Sequence, residues 1–386
     1  MPAGPPNDAA RSSAGRADFH AYPWWAPRFW HGMPLGVWLP LLAENRFRAS
    51  PSRFGLVATI TAAAAFNSLM EPISEACFRR QLRRPPTTPP PLFIIGHWRS
   101  GTTLLHELLM LDDRFCCPST IQCLAPGHFL LTERFLSFAI GWMVPKQRPM
   151  DNVAAGMDRP QEDEFALMNL GAPSPYRRMA FPKTSSRHPE ALDVTLLPPT
   201  ELARWQAAVR RFLTALSIRD HRRPVLKSPP HTARMGVLRA MYPGARFLHI
   251  VRDPYVVFSS TERLWQSMNA TQALQVDRGE SLGEYVFESF DEMYRAFDRD
   301  RALLGPGELH EVRYEDLVAD PAGRLEEAYR ALDLGEFARV RPKLEAESRR
   351  EYRTNTYRHD PAIVAEISRR WKPFIDRYGY EAPATT

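Results

Sequence analysis

The feature that most constrains this chain is a glycine-bounded loop between a predicted strand and a predicted helix. Residues 92–96 (LFIIG) form a short apolar run that is typical of a buried parallel strand, and residues 102–111 have the apolar spacing of a helix. Between them, residues 96–103 (GHWRSGTT) keep the spacing of a phosphate-binding loop, in which backbone N–H groups and the helix dipole hold an anion. The sequence therefore predicts an anion site at a strand-to-helix turn.

The loop departs from the pattern of triphosphate-binding loops at one position. Those loops carry a lysine after the second glycine, but here that residue is Thr102, and the basic residue Arg99 lies inside the loop. A triphosphate-hydrolysing enzyme also needs a carboxylate on magnesium. No apolar strand leads directly into an aspartate, because Arg252 stands between the run LHIV and Asp253. We therefore expect the loop to hold a single 5′-phosphate group, and we predict no metal site.

Strand-like and helix-like segments alternate after this loop. Such an order is typical of α/β proteins, and we predict a three-layer parallel sheet of the P-loop-like nucleotide-binding type with helices on both faces. The further strands are predicted at 224–226, 246–251 and 309–313. The further helices are predicted at 204–216, 228–241, 256–266 and 322–332.

A proline-rich run at 83–91 (RRPPTTPPP) divides the chain. Proline fixes φ and has no N–H group, so regular structure should stop there. We expect a disordered start at 1–20, a helical extension at 21–84 and a main domain at 92–380. Within the main domain, residues 123–199 interrupt the alternation and are expected to form helices and loops that cover the site.

Composition excludes several classes of protein. The 386 residues include 50 Lys+Arg against 44 Asp+Glu, and the basic residues are spread along the chain without zinc-finger spacing, so no nucleic-acid partner is expected. The 4 cysteines show no CxxC spacing, which favours a reducing compartment. The polar, proline-rich start does not resemble a signal peptide. We expect a cytoplasmic protein, with the inner face of the membrane as the alternative.

The helical extension leaves two interpretations open. Residues 22–42 combine several tryptophans with arginine, which suits a segment in a membrane interface. These tryptophans are Trp24, Trp25, Trp30 and Trp38. Residues 55–70 form the most apolar run, but it is shorter than the roughly 20 residues of a spanning helix. This run is either a buried core helix or part of a peripheral membrane contact through residues 22–70.

Three basic residues lie at the predicted carboxyl ends of three strands. They are Arg99, Lys227 and Arg252. Open α/β sheets bind their ligands at this edge, so the three side chains are expected to meet one anionic ligand. The small excess of positive charge along the chain is consistent with an anionic small molecule.

Three segments resemble the motifs of the sulfotransferases that use 3′-phosphoadenosine 5′-phosphosulfate (PAPS). Residues 91–109 (PLFIIGHWRSGTTLLHELL) resemble the 5′-phosphosulfate loop of that family, and residues 247–265 (FLHIVRDPYVVFSSTERLW) resemble its 3′-phosphate motif. Residues 312–321 (VRYEDLVADP) resemble a third shared segment. The resemblance covers residues 92–335, and the Arg-Ser-Gly-Thr-Thr loop is closer to the bacterial and Golgi-type branch than to the cytosolic branch.

The resemblance implies a PAPS-dependent enzyme that needs no metal. It implies that the 5′-phosphosulfate is bound by Arg99, Ser100, Gly101, Thr102 and Thr103. It also implies that Arg252 and Ser260 bind the 3′-phosphate and that Tyr314 lies against the nucleotide. Lys227 matches the family's lysine at the end of an apolar strand, and we assign it, with Arg99, to the 5′-phosphosulfate and its bridging oxygen.

The general base has three candidates. His231 follows Lys227 by one helical turn, but the cytosolic branch has its histidine two residues after the lysine, where this chain has Pro229. The Golgi-type branch uses a glutamate after the first helix, and the corresponding region here, CCPSTIQC, has no carboxylate. Glu162 and Asp163, in the acidic cluster of the covering segment, are therefore the other candidates.

The sequence leaves alternatives open for the acceptor and for the class of reaction. The tryptophan-rich extension favours a hydroxyl on a lipid or other hydrophobic metabolite, with a glycan or a peptide tyrosine as alternatives. Tyr176, Arg353 and Arg358 are further candidates for lining the site. A kinase-like phosphotransferase would require magnesium. A non-catalytic nucleotide-binding membrane adaptor would bind the nucleotide without any transfer.

Overall fold

A parallel sheet lies at the centre of the protein. The computed structural model describes residues 25–143, 156–184, 189–276, 282–347 and 360–383. Within these ranges one sheet has the strand order β2-β3-β1-β4-β5, and every neighbouring pair is parallel. Its strands are β1 (Leu92–Ile95), β2 (Phe115–Cys116), β3 (Arg223–Lys227), β4 (Arg246–Val251) and β5 (Leu309–Arg313).

Helices precede the sheet and connect its strands. Those up to β3 are α1 (Leu35–Glu44), α2 (Phe54–Leu82), α3 (Thr102–Leu109), α4 (Thr120–Leu124), α5 (Phe129–Ile140), α6 (Asp163–Asn169) and α7 (Pro199–Arg219). Those after β3 are α8 (Met235–Met241), α9 (Pro254–Gln272), α10 (Gly283–Arg301), α11 (Tyr314–Ala319), α12 (Pro321–Leu332), α13 (Arg341–Glu347), α14 (Pro361–Arg370) and α15 (Lys372–Tyr378). Short 3₁₀ turns lie at Phe29–Gly32, Pro51–Arg53, Gly141–Met143, Pro175–Ala180, Pro189–Ala191, Val194–Leu196, Pro229–Ala233 and Phe337–Arg339.

The sheet is buried on both faces. Alternate residues of a strand point to opposite faces. Phe93 and Phe247 belong to one apolar cluster, whereas their neighbours Leu92 and Leu248 belong to another. A parallel sheet with helices on both sides requires two such clusters. The predicted three-layer α/β architecture is therefore confirmed.

The sequence-based strands and helices are largely confirmed, and their differences have local causes. The short strand β2 was not predicted, because two residues are too few to show a pattern. The helix predicted at 228–241 is instead a 3₁₀ turn, Pro229–Ala233, followed by α8. The two are separated at Arg234 (φ −132°, ψ 11°), whose side chain is fully buried. The described part of the covering segment consists of short helices, 3₁₀ turns and loops, as expected.

Two tryptophans of the extension lie in the core and not at a surface. Trp30 and Trp38 are fully buried in the same apolar cluster as Phe93 of β1. The indole N–H of Trp30 donates to the Gln272 carbonyl oxygen at 2.7 Å, and that of Trp38 donates to Thr61 Oγ1 at 3.0 Å. Their expected place in a membrane interface is therefore wrong, since the sheet domain already supplies their apolar surroundings.

The rest of the extension is described only in part. Trp25 is 47% exposed, whereas Trp24 and the predicted disordered start at 1–20 lie outside the described residues. Helix α2 ends at Leu82, immediately before the proline-rich run. The division into an extension and a main domain stays a prediction.

Helix α2 differs from the expected short core helix. It spans 29 residues, because the helix continues through Pro72 beyond the apolar run. Of its most apolar 18-residue window, only 17% is buried. By length and composition alone, this helix is long and apolar enough to cross a membrane, a property that core helices and signal sequences share.

Candidate active site

The fold brings the three strand-end cations to one edge of the sheet. Strands β3, β1 and β4 are consecutive neighbours, and Lys227, the last residue of β3, is aligned with Ile94 of β1. Arg99 lies in the loop that follows β1, and Arg252 follows directly after β4. The parallel order therefore places all three at adjacent carboxyl ends, as the sequence predicted.

The loop after β1 has a backbone that favours glycine at both ends. Gly96 has φ +145° and Gly101 has φ +104°. A Cβ atom on Gly96 would lie 2.4 Å from the Ile250 carbonyl oxygen, and one on Gly101 would lie 2.3 Å from the Tyr314 ring. Arg99 also adopts a positive φ of 67°, which few side chains tolerate. Both the turn and the close packing beneath it therefore require these glycines.

The loop is held by its own hydrogen bonds and presents the start of α3. The Gly96 N–H donates to Thr232 Oγ1 at 2.7 Å, and Ser100 Oγ donates to the His97 carbonyl oxygen at 2.8 Å. The predicted ligand Ser100 thus makes a bond within the loop. Thr102 and Thr103 are the first residues of α3, where N–H groups have no acceptor within the helix and can bind an anion.

We predict that Gly101→Ala destabilises the fold. The added methyl group would meet the Tyr314 ring, and alanine disfavours φ +104°, so the free energy of unfolding should fall by about 1–3 kcal/mol. Urea unfolding measures this change. Gly36→Ala is the control, because nothing lies within 4 Å of its added methyl group. Equal stability of the two variants would contradict the described loop.

The predicted 3′-phosphate residues lie beside the loop. Arg99 Nε donates to Ser260 Oγ at 2.9 Å, and Arg252 Nη1 donates to the Arg99 carbonyl oxygen at 3.2 Å. The Arg252 guanidinium lies 4.1 Å from the centre of the Tyr314 ring, a cation–π contact. Burial is the main cause that raises the pKa of Tyr314, and nearby Arg252 opposes it. The structure therefore brings Arg99, Arg252, Ser260 and Tyr314 together.

A second set of contacts joins the end of β3 to the covering segment. Lys227 Nζ donates to Glu162 Oε1 at 2.7 Å, and the other oxygen of Glu162 accepts from the Tyr176 hydroxyl at 2.5 Å. The Tyr176 hydroxyl in turn accepts from the Trp98 indole N–H at 2.8 Å. Burial and the Glu162 carboxylate raise the pKa of Tyr176 well above its usual range, so it remains a donor. Trp98 belongs to the loop after β1, so the two parts of the site are directly connected.

The three base candidates occupy different environments. The Glu162 side chain is 14% exposed and touches Lys227 at the strand ends. Asp163 and His231 instead pair with each other at 2.7 Å, and their side chains are 2% and 0% exposed. The His231 ring packs perpendicular to the Phe93 ring of the sheet, with ring centres 5.5 Å apart. The geometry therefore favours Glu162, because a base must reach the acceptor.

A fully buried ion pair lies next to these residues. Arg234 donates to both oxygens of Glu164 at 2.6 and 3.1 Å, and both side chains are 0% exposed. Arg234 also donates to the carbonyl oxygens of Leu192 and Ala191. The consecutive acids at 162–164 thus pair in turn with Lys227, His231 and Arg234. Sequence reasoning missed the pair between Arg234 and Glu164. Its signal was visible in the sequence, because the run of three acids at 162–164 has basic partners spaced along residues 227–234.

The donor set is suited to an anionic ligand. Arg99, Arg252 and Ser260 form one hydrogen-bonded group, and Lys227 and the start of α3 lie at the adjacent strand ends. Burial lowers the pKa of His97 to about 4, so the loop's cation at neutral pH is Arg99. In the described part of the chain, no group of three or more His, Cys, Asp or Glu residues is placed to hold a metal ion. Arg353 and Arg358 lie outside the described residues.

Known proteins resemble this chain in sequence. A family model described as the sulfotransferase family matches residues 90–338. Omega-hydroxy-beta-dihydromenaquinone-9 sulfotransferase Stf3 of Mycobacterium bovis is 39% identical over 359 residues, which cover 92% of this chain and 92% of the relative. The protein of that name from Mycobacterium tuberculosis shows the same identity and coverage.

Solved structures share the fold. Sulfotransferase STF9 from Mycobacterium avium has a TM-score of 0.62 at 19% identity, covering 89% of this chain and 90% of that one. Sulfotransferase STF1 from Mycobacterium tuberculosis has a TM-score of 0.53 at 19% identity, covering 81% and 85%. The predicted resemblance is confirmed, because the family match spans most of the chain and its strand-end site. This protein belongs to the sulfotransferase family and is a sulfotransferase enzyme.

Proposed function

We propose that the enzyme transfers the sulfuryl group of PAPS to a hydroxyl of a lipid-like acceptor, with Glu162 as the general base. The observation that carries this proposal is the contact between Glu162 and Lys227 at the strand ends, beside the anion-binding loop. Family membership supports sulfuryl transfer over the kinase-like and adaptor alternatives. The family also implies PAPS as the donor.

The nucleotide would be held at two points. The start of α3, with Thr102 and Thr103, would bind the 5′-phosphosulfate through N–H and hydroxyl donors. Arg252 and Ser260 would bind the 3′-phosphate, since they lie together beside the loop. Tyr314 would then lie against the nucleotide, where its ring already supports the Arg252 guanidinium.

The transfer needs one base and a cation at the leaving oxygen. The acceptor oxygen attacks sulfur, and the bond between sulfur and the bridging oxygen of the 5′-phosphate breaks. The hydroxyl proton passes to the Glu162 carboxylate. The electron pair remains on the 5′-phosphate, where Lys227 and Arg99 would stabilise the growing negative charge. The products are a sulfate ester and 3′-phosphoadenosine 5′-phosphate.

Asp163, His231 and Tyr176 would have positioning roles. The buried Asp163–His231 pair anchors the start of α6 directly after Glu162. The Tyr176 hydroxyl donates to one Glu162 oxygen, which fixes the carboxylate beside Lys227. The acceptor proton would therefore meet a carboxylate whose orientation is set before binding.

The acceptor is proposed from the name of the relatives. The name of the relatives describes sulfation of an omega-hydroxylated dihydromenaquinone, which is a lipid-like hydroxyl compound. We propose an acceptor of that class here. Incubation of the protein with radiolabelled PAPS and hydroxylated quinones tests this directly. A labelled quinone ester is expected, whereas phosphoryl transfer from Mg²⁺-ATP would overturn the assigned reaction.

Nucleotide binding gives a separate prediction. Arg252→Ala and Ser260→Ala should each weaken 3′-phosphoadenosine 5′-phosphate binding, Arg252→Ala by about 10- to 100-fold, because a charge-assisted hydrogen bond contributes about 1.5–3 kcal/mol. Isothermal calorimetry measures the affinities. Arg204→Ala is the control, because Arg204 lies on α7 with 75% of its side chain exposed. Unchanged affinity in Arg252→Ala would remove this residue from the nucleotide site.

A further inference from the structure

The outward face of α2 is apolar along most of its length. A surface helix normally presents polar residues opposite its packed face. Here the exposed positions recur at helical spacing and carry no charge until the last turns of the helix. The exposed apolar side chains are Phe54, Ala58, Ala62, Ala65, Leu69, Pro72, Ile73 and Ala76, and the other exposed residues before the last turn are Gly55, Thr59 and Cys77. Phe54, Leu69 and Ile73 are 58%, 60% and 42% exposed, so this face lacks a protein partner along the described chain.

Two helices that pack against α2 also expose apolar side chains. On α5 and the turn after it, an exposed stripe has spacings typical of one helix face and consists of Leu131, Phe135, Phe138 and Trp142. Phe138 and Trp142 are 88% and 75% exposed. On α1, Leu39 is 45% exposed, and Phe47 just beyond that helix is 64% exposed. We call the outward residues of α1, α2 and α5 the apolar platform.

Arginines border the apolar platform. Exposed arginines at the end of α2 and in the loop after it are Arg79, Arg80, Arg83 and Arg84. Arg80 follows Ile73 by two helical turns and therefore continues the same face. Arg46 and Arg48 flank Phe47, and Arg134 lies on α5 beside Phe135. Two exposed acidic side chains nearby, Glu44 and Glu75, are paired with Arg177 and Arg211. Apolar and aromatic side chains bordered by arginine match the chemistry of an anionic lipid surface.

The packed side of α2 determines how such a surface would be engaged. Asn67 is buried and donates to the carbonyl oxygens of His31 and Met33 at 2.8 and 3.0 Å. Glu75 forms an ion pair with Arg211 of α7. If α2 crossed a bilayer, these polar groups would leave their partners and enter hydrocarbon, which is costly. The helix is therefore suited to lie along the membrane surface with its inner side on the protein.

We propose that the apolar platform docks this enzyme peripherally on an anionic membrane. The tryptophans Trp30 and Trp38 anchor the extension to the core, and the outward residues of α1, α2 and α5 enter the headgroup region. The site lies close by: α6, which begins directly after Glu162, packs on α4, and α4 packs on α5. A lipid-like acceptor would then reach the site without crossing water. Docking itself does not depend on the proposed acceptor.

Vesicle sedimentation of the full-length protein tests the docking. Wild type should pellet with mixed vesicles of phosphatidylcholine and phosphatidylglycerol, and less with vesicles of phosphatidylcholine alone. High salt should reduce its binding to the mixed vesicles. Leu69→Glu/Ile73→Glu should lower the partition coefficient more than about tenfold, because two apolar contacts are replaced by charges. Leu196→Glu is the matched control, since Leu196 is also 60% exposed but lies outside the platform, and it should bind like wild type.

Further measurements separate the alternative occupants. Thermal unfolding checks that the α2 variant is folded, and Phe135→Ser/Phe138→Ser repeats the test on a different helix and should also reduce binding. The proposal is overturned if wild type ignores the mixed vesicles or if both double variants bind as wild type does. It is also overturned if the protein resists alkaline extraction from membranes, as a membrane-spanning protein does. A dimer that Leu69→Glu disrupts, in a protein that binds no vesicles, would overturn it as well, because the platform would then be a dimer interface. Vesicle binding needs no sulfuryl transfer, so failure here is distinguishable from failure of the proposed reaction.

Discussion

Glu162→Gln should reduce kcat for sulfuryl transfer by about 10²- to 10⁴-fold, the usual contribution of a general base. Glutamine retains the shape of the side chain and still hydrogen-bonds, but it cannot accept the hydroxyl proton. Affinity for 3′-phosphoadenosine 5′-phosphate should not fall, since Glu162 makes none of the proposed nucleotide contacts and its loss removes a competitor for Lys227. Initial rates with saturating PAPS, together with calorimetry, separate the two effects.

The control for this variant is Glu201→Gln. Glu201 is a glutamate on α7 that pairs with exposed Arg204, so its loss should leave kcat unchanged. His231→Asn is the informative comparison, because His231 is buried against Asp163. If Glu162→Gln retained its turnover while His231→Asn lost it without loss of stability, the base would be reassigned to His231.

Arg234→Met should lower the free energy of unfolding by about 3–5 kcal/mol, because it leaves the Glu164 carboxylate buried without a cation. The pair is fully buried, and Arg234 additionally bonds two backbone carbonyl groups. The double variant Arg234→Met/Glu164→Leu should recover much of this loss, since removal of both charges leaves no unpaired ion. Urea unfolding at neutral pH measures all three proteins.

A surface pair of the same composition provides the control for that effect. Arg239 and Glu308 lie 2.8 Å apart, but the Arg239 side chain is 41% exposed. Exposed ion pairs contribute about 0–1 kcal/mol, so Arg239→Met should be nearly neutral. Similar losses in Arg234→Met and Arg239→Met would contradict the importance of burial in the first pair.

Local sequence patterns predicted the sheet and the loop because their determinants are local. Strand β1 is a continuous apolar run, and Gly96 and Gly101 have the spacing of a phosphate loop whatever surrounds them. The end of an apolar strand also predicted Lys227. These features depend on backbone preferences and on strand burial, both of which act over a few residues.

The contacts of the candidate base were not predictable in this way. Glu162 and Lys227 are 65 positions apart, and their contact depends on how α6 packs over the strand ends. Each acid of the run at 162–164 could serve as a base by its chemistry alone. Only its burial in the structure distinguishes Asp163 from Glu162. The tryptophans gave a wrong expectation for the same reason: composition shows that Trp30 and Trp38 seek an apolar environment, but not that the core provides it.

The pair between Lys227 and Glu162 gives the site an internal counterion. Before a donor arrives, the lysine is already neutralised, so the strand ends attract simple anions less strongly than a bare cation would. A donor held by its other nucleotide contacts would compete with Glu162 for Lys227 through its 5′-phosphosulfate oxygens, whereas a small free anion would have to displace the carboxylate without those contacts. We therefore expect the carboxylate to discriminate against inorganic sulfate and phosphate. Release of Glu162 from the lysine would then coincide with the moment at which a proton acceptor is required.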